Sequence, residues 1–238
     1  MATKRAGPVQ AISASKAPDS VKQTAPPPTR SRGEWLADIV KDRILNGHYP
    51  PGDRIRESDL QQEFGFSNGP VREALQLVVA ATLAERSPWQ GVRVVTLTSA
   101  EIGELFQVRT ALLEYISERA ATHGSQETLD RGADLKRRLK AAFAAASIGE
   151  TPAFSGELSA WLLEGAGNSI LRQMWDSITL RSRIYVNDAL RKKAHAESLR
   201  RLSDLIDAVR AREPQKARQA ARALTQHLLL QLDVDTKL

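Results

Sequence analysis

The sequence predicts a mainly α fold in two parts: a small three-helix unit closed by a β-hairpin, then an antiparallel six-helix bundle. Three observations predict it. Apolar residues recur at helical spacing from about Glu34 onward. The one interruption is LAERSPWQGVRVVTL, which reads as two short strands, Leu83–Arg86 and Val92–Leu97, with Pro88 and Gly91 at the bend. Glycine or proline also marks the breaks between the runs. A chain of 238 residues, 42% of them hydrophobic, can bury one large core or two smaller ones.

Residues 1–32 stand outside this pattern. They hold Lys4, Arg5, Lys16, Lys22, Arg30 and Arg32 against Asp19 alone, and so carry most of the formal +6 charge. Proline, small residues and the lack of apolar periodicity predict a disordered basic tail. No run of 18 apolar residues exists, so no segment is expected to span a membrane. With no cysteine, the chain has no disulfides, thiolate zinc sites or cysteine nucleophiles, which fits the reducing cytoplasm.

In the first ordered part, Trp35, Ile39, Ile44 and Leu45 mark a helix that NGHYPPGD must end. A second helix is predicted from about Glu57 to Phe64, with Leu60 and Phe64 on one face and Gly65 as its stop. Ser67 is expected to cap the third, with Pro70 in its first turn. Val71, Leu75 and Val78 face inward at helical spacing, which leaves Asn68, Arg72 and Gln76 on the opposite face. Two short helices joined by a glycine-containing turn form a helix-turn-helix, and the hairpin beside it forms a wing. Such a unit lays its second helix in the major groove of DNA.

The stretch ILNGHYPPGDRIRESDLQQEFGFSNGPVREALQLV…GVRVV is similar to the winged helix-turn-helix of GntR-family transcriptional regulators. Their usual run is I-x-x-G-x-x-x-P-G-x-x-L-x-E-x-x-L-A-x-x-F-G-V-S-R-x-P-V-R-E-A-L. The resemblance implies a module at residues 33–97 that binds double-stranded operator DNA. Arg72 would sit on the DNA, with contacts from Arg56, Ser67, Asn68, Gly69 and Gln76 and from Gln90 and Gly91 of the wing. Asn68 and Gly69 depart from the arginine and threonine usual after the serine, which implies an altered base preference, with Asn68 suited to adenine.

Residues 98–238 read as all helical. Thr98 and Glu101 fit a capping box, and Ile102, Leu105, Phe106, Leu112, Leu113 and Ile116 form the first stripe. Further helices are predicted near 126–147, 151–165, 168–191, 195–213 and 214–234, separated by Gly149–Glu150, Gly165–Gly167 and Pro214. The stretches FQVRTALLEYISERAA, GAGNSIL and LIDAVRAREPQKARQAARALTQHLL resemble the FCD domain of the FadR subfamily, and the count of six helices resembles its VanR-like branch. The resemblance implies a homodimer and a ligand-binding bundle.

Domains of that type often hold a metal through one aspartate and three histidines. Here Ser155, Ser159 and Leu202 stand at three of those positions, and only His227 is kept. One imidazole with two hydroxyls is a poor transition-metal site, so no metal is expected unless Glu157 or His195 substitutes through a shift in register.

Arg109 lies on the face expected to be buried. Arg181 sits similarly among Leu171, Met174, Ile178 and Tyr185, and His227 among Ala220, Leu224, Leu228 and Gln231. A buried guanidinium needs an anion or an acceptor. Either the carboxylate of a small effector supplies it, with Ser155, Ser159 and His227 donating further bonds, or Glu114, Glu157 or Asp188 does so internally. Trp161, Trp175 and Tyr185 are candidate pocket walls. An effector-responsive transcriptional regulator, a repressor by preference, is therefore expected. The alternatives are a constitutive DNA-binding protein whose bundle only dimerises, and an enzyme, which histidines 48, 123, 195 and 227 disfavour because they form no catalytic or metal motif.

Overall fold

The computed structural model of the chain describes residues 30–87, 89, 91–144, 151–192 and 196–234. The predicted tail up to residue 29 lies outside them, as do Pro88, Gln90, His195 and the expected break at Gly149–Glu150. The chain divides between Thr98 and Ser99 into two compact units.

The first unit holds α1 (Arg32–Leu45), α2 (Glu57–Phe64) and α3 (Asn68–Ala80), with β1 (Arg54–Ile55), β2 (Ala84–Ser87) and β3 (Gly91–Val94). A capping box opens α1. The Ser31 hydroxyl accepts from the Glu34 amide, and the Glu34 carboxylate accepts from the Ser31 amide, both at 3.0 Å. Leu36, Val40 and Ile44 of α1, Leu60 of α2, and Val71, Leu75 and Val78 of α3 are all fully buried, so the predicted inward stripe of α3 is the core face. Trp35 meets Phe64 and Phe66 edge-on, at 5.7 and 5.9 Å between ring centroids, and fixes α1 against the turn after α2. Arg43 of α1 grips the Glu63 carboxylate with both terminal nitrogens and holds its pKa below the usual range.

Gly65 ends α2 at φ +65°, a conformation that glycine adopts without a Cβ penalty. Ser67 occupies the N-cap of α3, but its hydroxyl makes no capping bond, so the predicted cap is positional only. The sheet runs β1-β3-β2, antiparallel throughout, with Val92 opposite both Ile55 and Arg86. The strands run Ala84–Ser87 and Gly91–Val94, shifted from the predicted limits, and β1 was not predicted.

The second unit holds six helices among its described residues: α4 (Ser99–His123), α5 (Gln126–Ala144), α6 (Thr151–Ala166), α7 (Ser169–Lys192), α8 (Ala196–Arg210) and α9 (Pro214–Gln231). Helix α4 runs through the middle and packs on α6, α7, α8 and α9. Close approach of α4 to α6 depends on Gly165, whose added Cβ would stand 3.1 Å from that of Ala120. Asn168 caps α7 by accepting from the Leu171 amide at 2.9 Å, and Pro214 starts α9 in the first turn, where no amide is needed. No helix among the described residues is long and apolar enough to cross a membrane.

Candidate nucleic-acid interface and bundle cavity

Helix α3 presents Asn68, Gly69, Arg72 and Gln76 to solvent, with Ser67 exposed at its start. Gly69 has nothing within 4 Å of a would-be Cβ, so the N-terminal turn of α3 is open to an incoming surface. Two residues of α2 reach the same face. Glu57 accepts from Arg72 Nε at 3.1 Å, and Gln61 donates to Asn68 Oδ1.

Where the start of α2 meets β1 and β3, a cleft of about 300 Å3 is lined by Arg54, Arg56, Glu57, Ser58, Gly91 and Val92. Gly91 opens β3 at φ +78°, a conformation that a side chain would strain, and lies beside the Arg54 guanidinium, which a Cβ there would meet at an ordinary contact distance of 3.6 Å. Arg56 is exposed, 4.0 Å from Asp59, a pair of little energetic weight. The structure thus brings Arg56 and Gly91 together; Gln90 lies outside the described residues.

Sequence reasoning passed over Arg54, because a two-residue strand leaves no periodic signal. It also passed over Trp89, which stands fully exposed at the wing tip with φ +65°. A bulky exposed residue with positive φ is the signal that a wing-tip role could have been read from, and it needs coordinates.

In the second unit, a cavity of about 20 Å3 lies where five helices meet. It is lined by Arg109 and Leu113 of α4, Ser155, Leu158 and Ser159 of α6, Val186 of α7, Leu202 of α8, and Leu224 and Leu228 of α9. That is room for about one water-sized group. Arg109 is 6% exposed, and its Nε and Nη1 make no hydrogen bond. Burial drives its pKa down from the ordinary arginine value to about 10. The guanidinium lies 5.0 Å from the Trp175 ring and 5.7 Å from that of Phe106, which offsets part of the desolvation cost without supplying an anion.

Two of the internal partners considered for Arg109 are committed elsewhere. Glu114 is held by Arg218 and Arg222 of α9 at 3.1 and 2.5 Å, and Glu157 pairs with Arg138 at 2.6 Å.

Two site expectations need correction. Arg181 is exposed: the inward face of α7 runs through Leu171, Trp175, Ser182, Tyr185, Val186 and Ala189, one position round from the predicted stripe. His227 is buried but is not among the residues lining the cavity; its Nε2 shares a 2.9 Å hydrogen bond with Ser198 Oγ. Of the aromatic candidates, Trp175 stands beside Arg109, while Trp161 donates its indole N–H to the Thr128 carbonyl at 2.7 Å.

The metal positions implied by the resemblance meet a simple test here. Ser155, Ser159 and Leu202 converge on the cavity, but the charged group they meet is a guanidinium, which repels a cation. The residues do not fit a divalent metal. Among the described residues no group of three or more His, Asp or Glu stands close enough to hold one.

Residues 33–94 match the family described as bacterial regulatory proteins, gntR family, and residues 104–227 match the FCD domain. Over 90 residues the chain is 31% identical to the uncharacterised HTH-type transcriptional regulator YdhC of Bacillus subtilis, covering 38% of this chain and 40% of that protein. A gluconate operon transcriptional repressor of Bacillus licheniformis is 25% identical over 73% of this chain and 72% of its own. A probable D-xylose utilization operon transcriptional repressor of Paenarthrobacter nicotinovorans is 27% identical over 81% of this chain and 84% of its own. Among solved structures, E. coli McbR/YncC is similar with a TM-score of 0.72 and 19% identity, covering 86% of this chain and 98% of that one. A GntR structure from Rhodococcus sp. RHA1 gives 0.71 and 22%, covering 87% and 100%. At such identities the likeness is one of fold.

Proposed function

Since the chain belongs to the gntR family of bacterial regulatory proteins, with an FCD domain spanning more than half its length, we propose that it is a cytoplasmic transcriptional repressor whose operator affinity is set by a small carboxylate bound at Arg109. Regulators of this family bind operator DNA and are not enzymes. The six helices among the described residues of the second unit support the VanR-like branch of the FadR subfamily.

One observation carries the effector reading: a buried guanidinium with two nitrogens lacking acceptors, beside a cavity edged by Ser155 and Ser159. A buried charge in that state is costly, and a carboxylate relieves it. A cavity of about 20 Å3 takes no more than a headgroup, so the rest of an acid enters only if Leu202, Leu224 and Leu228 move. The ligand-bound bundle then differs in packing from the free one, as a switch requires. Helix α4 carries the change toward the winged unit, because it holds Arg109 and begins directly after Thr98.

A homodimer on a palindromic operator completes the reading. Val108, Ala111 and Tyr115 form an exposed stripe on α4, and a two-fold antiparallel pairing of that helix would set Glu104 against the partner's Arg119. The small cavity favours a second reading, a constitutive binder whose bundle only dimerises. A thermal-shift screen with gluconate and other small mono- and dicarboxylates separates the two: the effector reading requires an acid that raises Tm in a concentration-dependent way, and the second requires none.

A further inference from the structure

The two bonds between α2 and α3 form a pattern. Glu57 and Gln61 are one helical turn apart on α2, Asn68 and Arg72 one turn apart on α3, and the pairs are Glu57 with Arg72 and Gln61 with Asn68. We propose that Glu57 and Gln61 are positioning residues for DNA recognition, each presetting one base-reading side chain of α3. The inference rests on the reading of α3 as the recognition helix.

The chemistry of each bond fits. Glu57 engages only Nε of Arg72, so the end of the guanidinium with its two terminal nitrogens stays free for a bidentate contact with guanine. Without that anchor, an arginine 64% exposed samples many rotamers and loses entropy when it reads. The side chain of Asn68 can present its amide in two orientations that differ by a flip. In the structure Gln61 Nε2 donates to Oδ1, and the bond holds the Asn68 amide in one of those orientations. One lone pair of Oδ1 and both N–H groups of Nδ2 remain, the set needed to meet N6 and N7 of adenine.

Gln61 also stands where the GntR run has alanine, and Asn68 where it has arginine. The two departures are in contact, which ties them to one altered reading.

The test is a binding selection on randomised half-sites with the full-length protein and its Gln61→Ala, Glu57→Ala, Glu57→Gln and Arg72→Ala variants, with thermal unfolding run alongside. Gln61→Ala is expected to reduce discrimination at the Asn68 base by about tenfold and to leave the Arg72 base unchanged. Glu57→Ala is expected to do the reverse. Its affinity for nonspecific DNA should hold or rise, because a negative charge beside the phosphates is removed. Glu57→Gln, which keeps an acceptor, should recover part of the discrimination. A merely structural role would lower affinity for all sequences alike, together with Tm, and would overturn the proposal. Unchanged profiles in both alanine variants would overturn it too, provided that Arg72→Ala still weakens binding. If Arg72→Ala also has no effect, the recognition-helix reading itself fails.

Discussion

Replacing Arg109 by methionine should stabilise the ligand-free protein while abolishing its response to acids. Burial takes the arginine pKa well below its ordinary value, to about 10, which corresponds to a cost of roughly 3 kcal/mol in the folded state. The group is charged in both folded and unfolded chains below pH 10, so the full cost is present and constant between pH 6 and 9. Methionine is unbranched and apolar, and can fill the same space beside Leu113 and Leu158. The variant forfeits the two cation–π contacts with Trp175 and Phe106, together about 1–2 kcal/mol. A net gain of about 1–2 kcal/mol remains, a Tm rise of about 2–8 °C for a chain of this size. Differential scanning calorimetry at pH 7, with and without the acid that most raises the wild-type Tm, measures both effects. A variant that melts lower than wild type, or that still gains stability from the acid, refutes the reasoning, since Arg109 would then be structurally paired or irrelevant to the ligand.

Three further outcomes are expected. Arg72→Ala, on the exposed face of α3, should weaken operator binding by about 1–3 kcal/mol in fluorescence anisotropy, with nonspecific DNA much less affected. Elemental analysis of purified protein should find no stoichiometric zinc, nickel or manganese, and chelators should leave Tm unchanged, because Ser155, Ser159 and Leu202 offer no ligand set beside Arg109. Val108→Glu should shift the protein from dimer to monomer in sedimentation velocity, because the α4 pairing would then bury each new carboxylate, uncompensated, against the partner's Tyr115.

The helices were legible where apolar period and breakers agreed. The predicted limits of α2, Glu57 and Phe64, are its limits in the structure, since Leu60 marks its face and Gly65 supplies the left-handed stop. Arg109 was legible as a buried charge from the apolar stripe of α4, whereas Ser155, Ser159 and Leu202, which share its cavity, were legible only as positions implied by the family resemblance. Helix α7 misled because its exposed side carries Ile170 and Met174, so apolar residues fall on two faces and the stripe can be drawn one position out, which is how Arg181 was turned inward. His227 sits on the predicted inner stripe, but periodicity does not say which neighbour its ring will meet, and Ser198 takes it. The two-residue β1 and the contacts of Gln61 and Glu57 left no sequence signal, because each depends on the close approach of segments rather than on spacing within one.

The central claim is that the cavity at Arg109 and the face of α3 are thermodynamically coupled, and one measurement addresses it directly. Operator affinity is determined by anisotropy with and without saturating acid, and acid affinity by calorimetry with and without saturating operator. Linkage requires both ratios to be the same factor, expected at about 5–150-fold, and to fall to one in Arg109→Met. An acid that binds at Arg109 but leaves operator affinity unchanged, or an operator response that survives in Arg109→Met, would contradict the account.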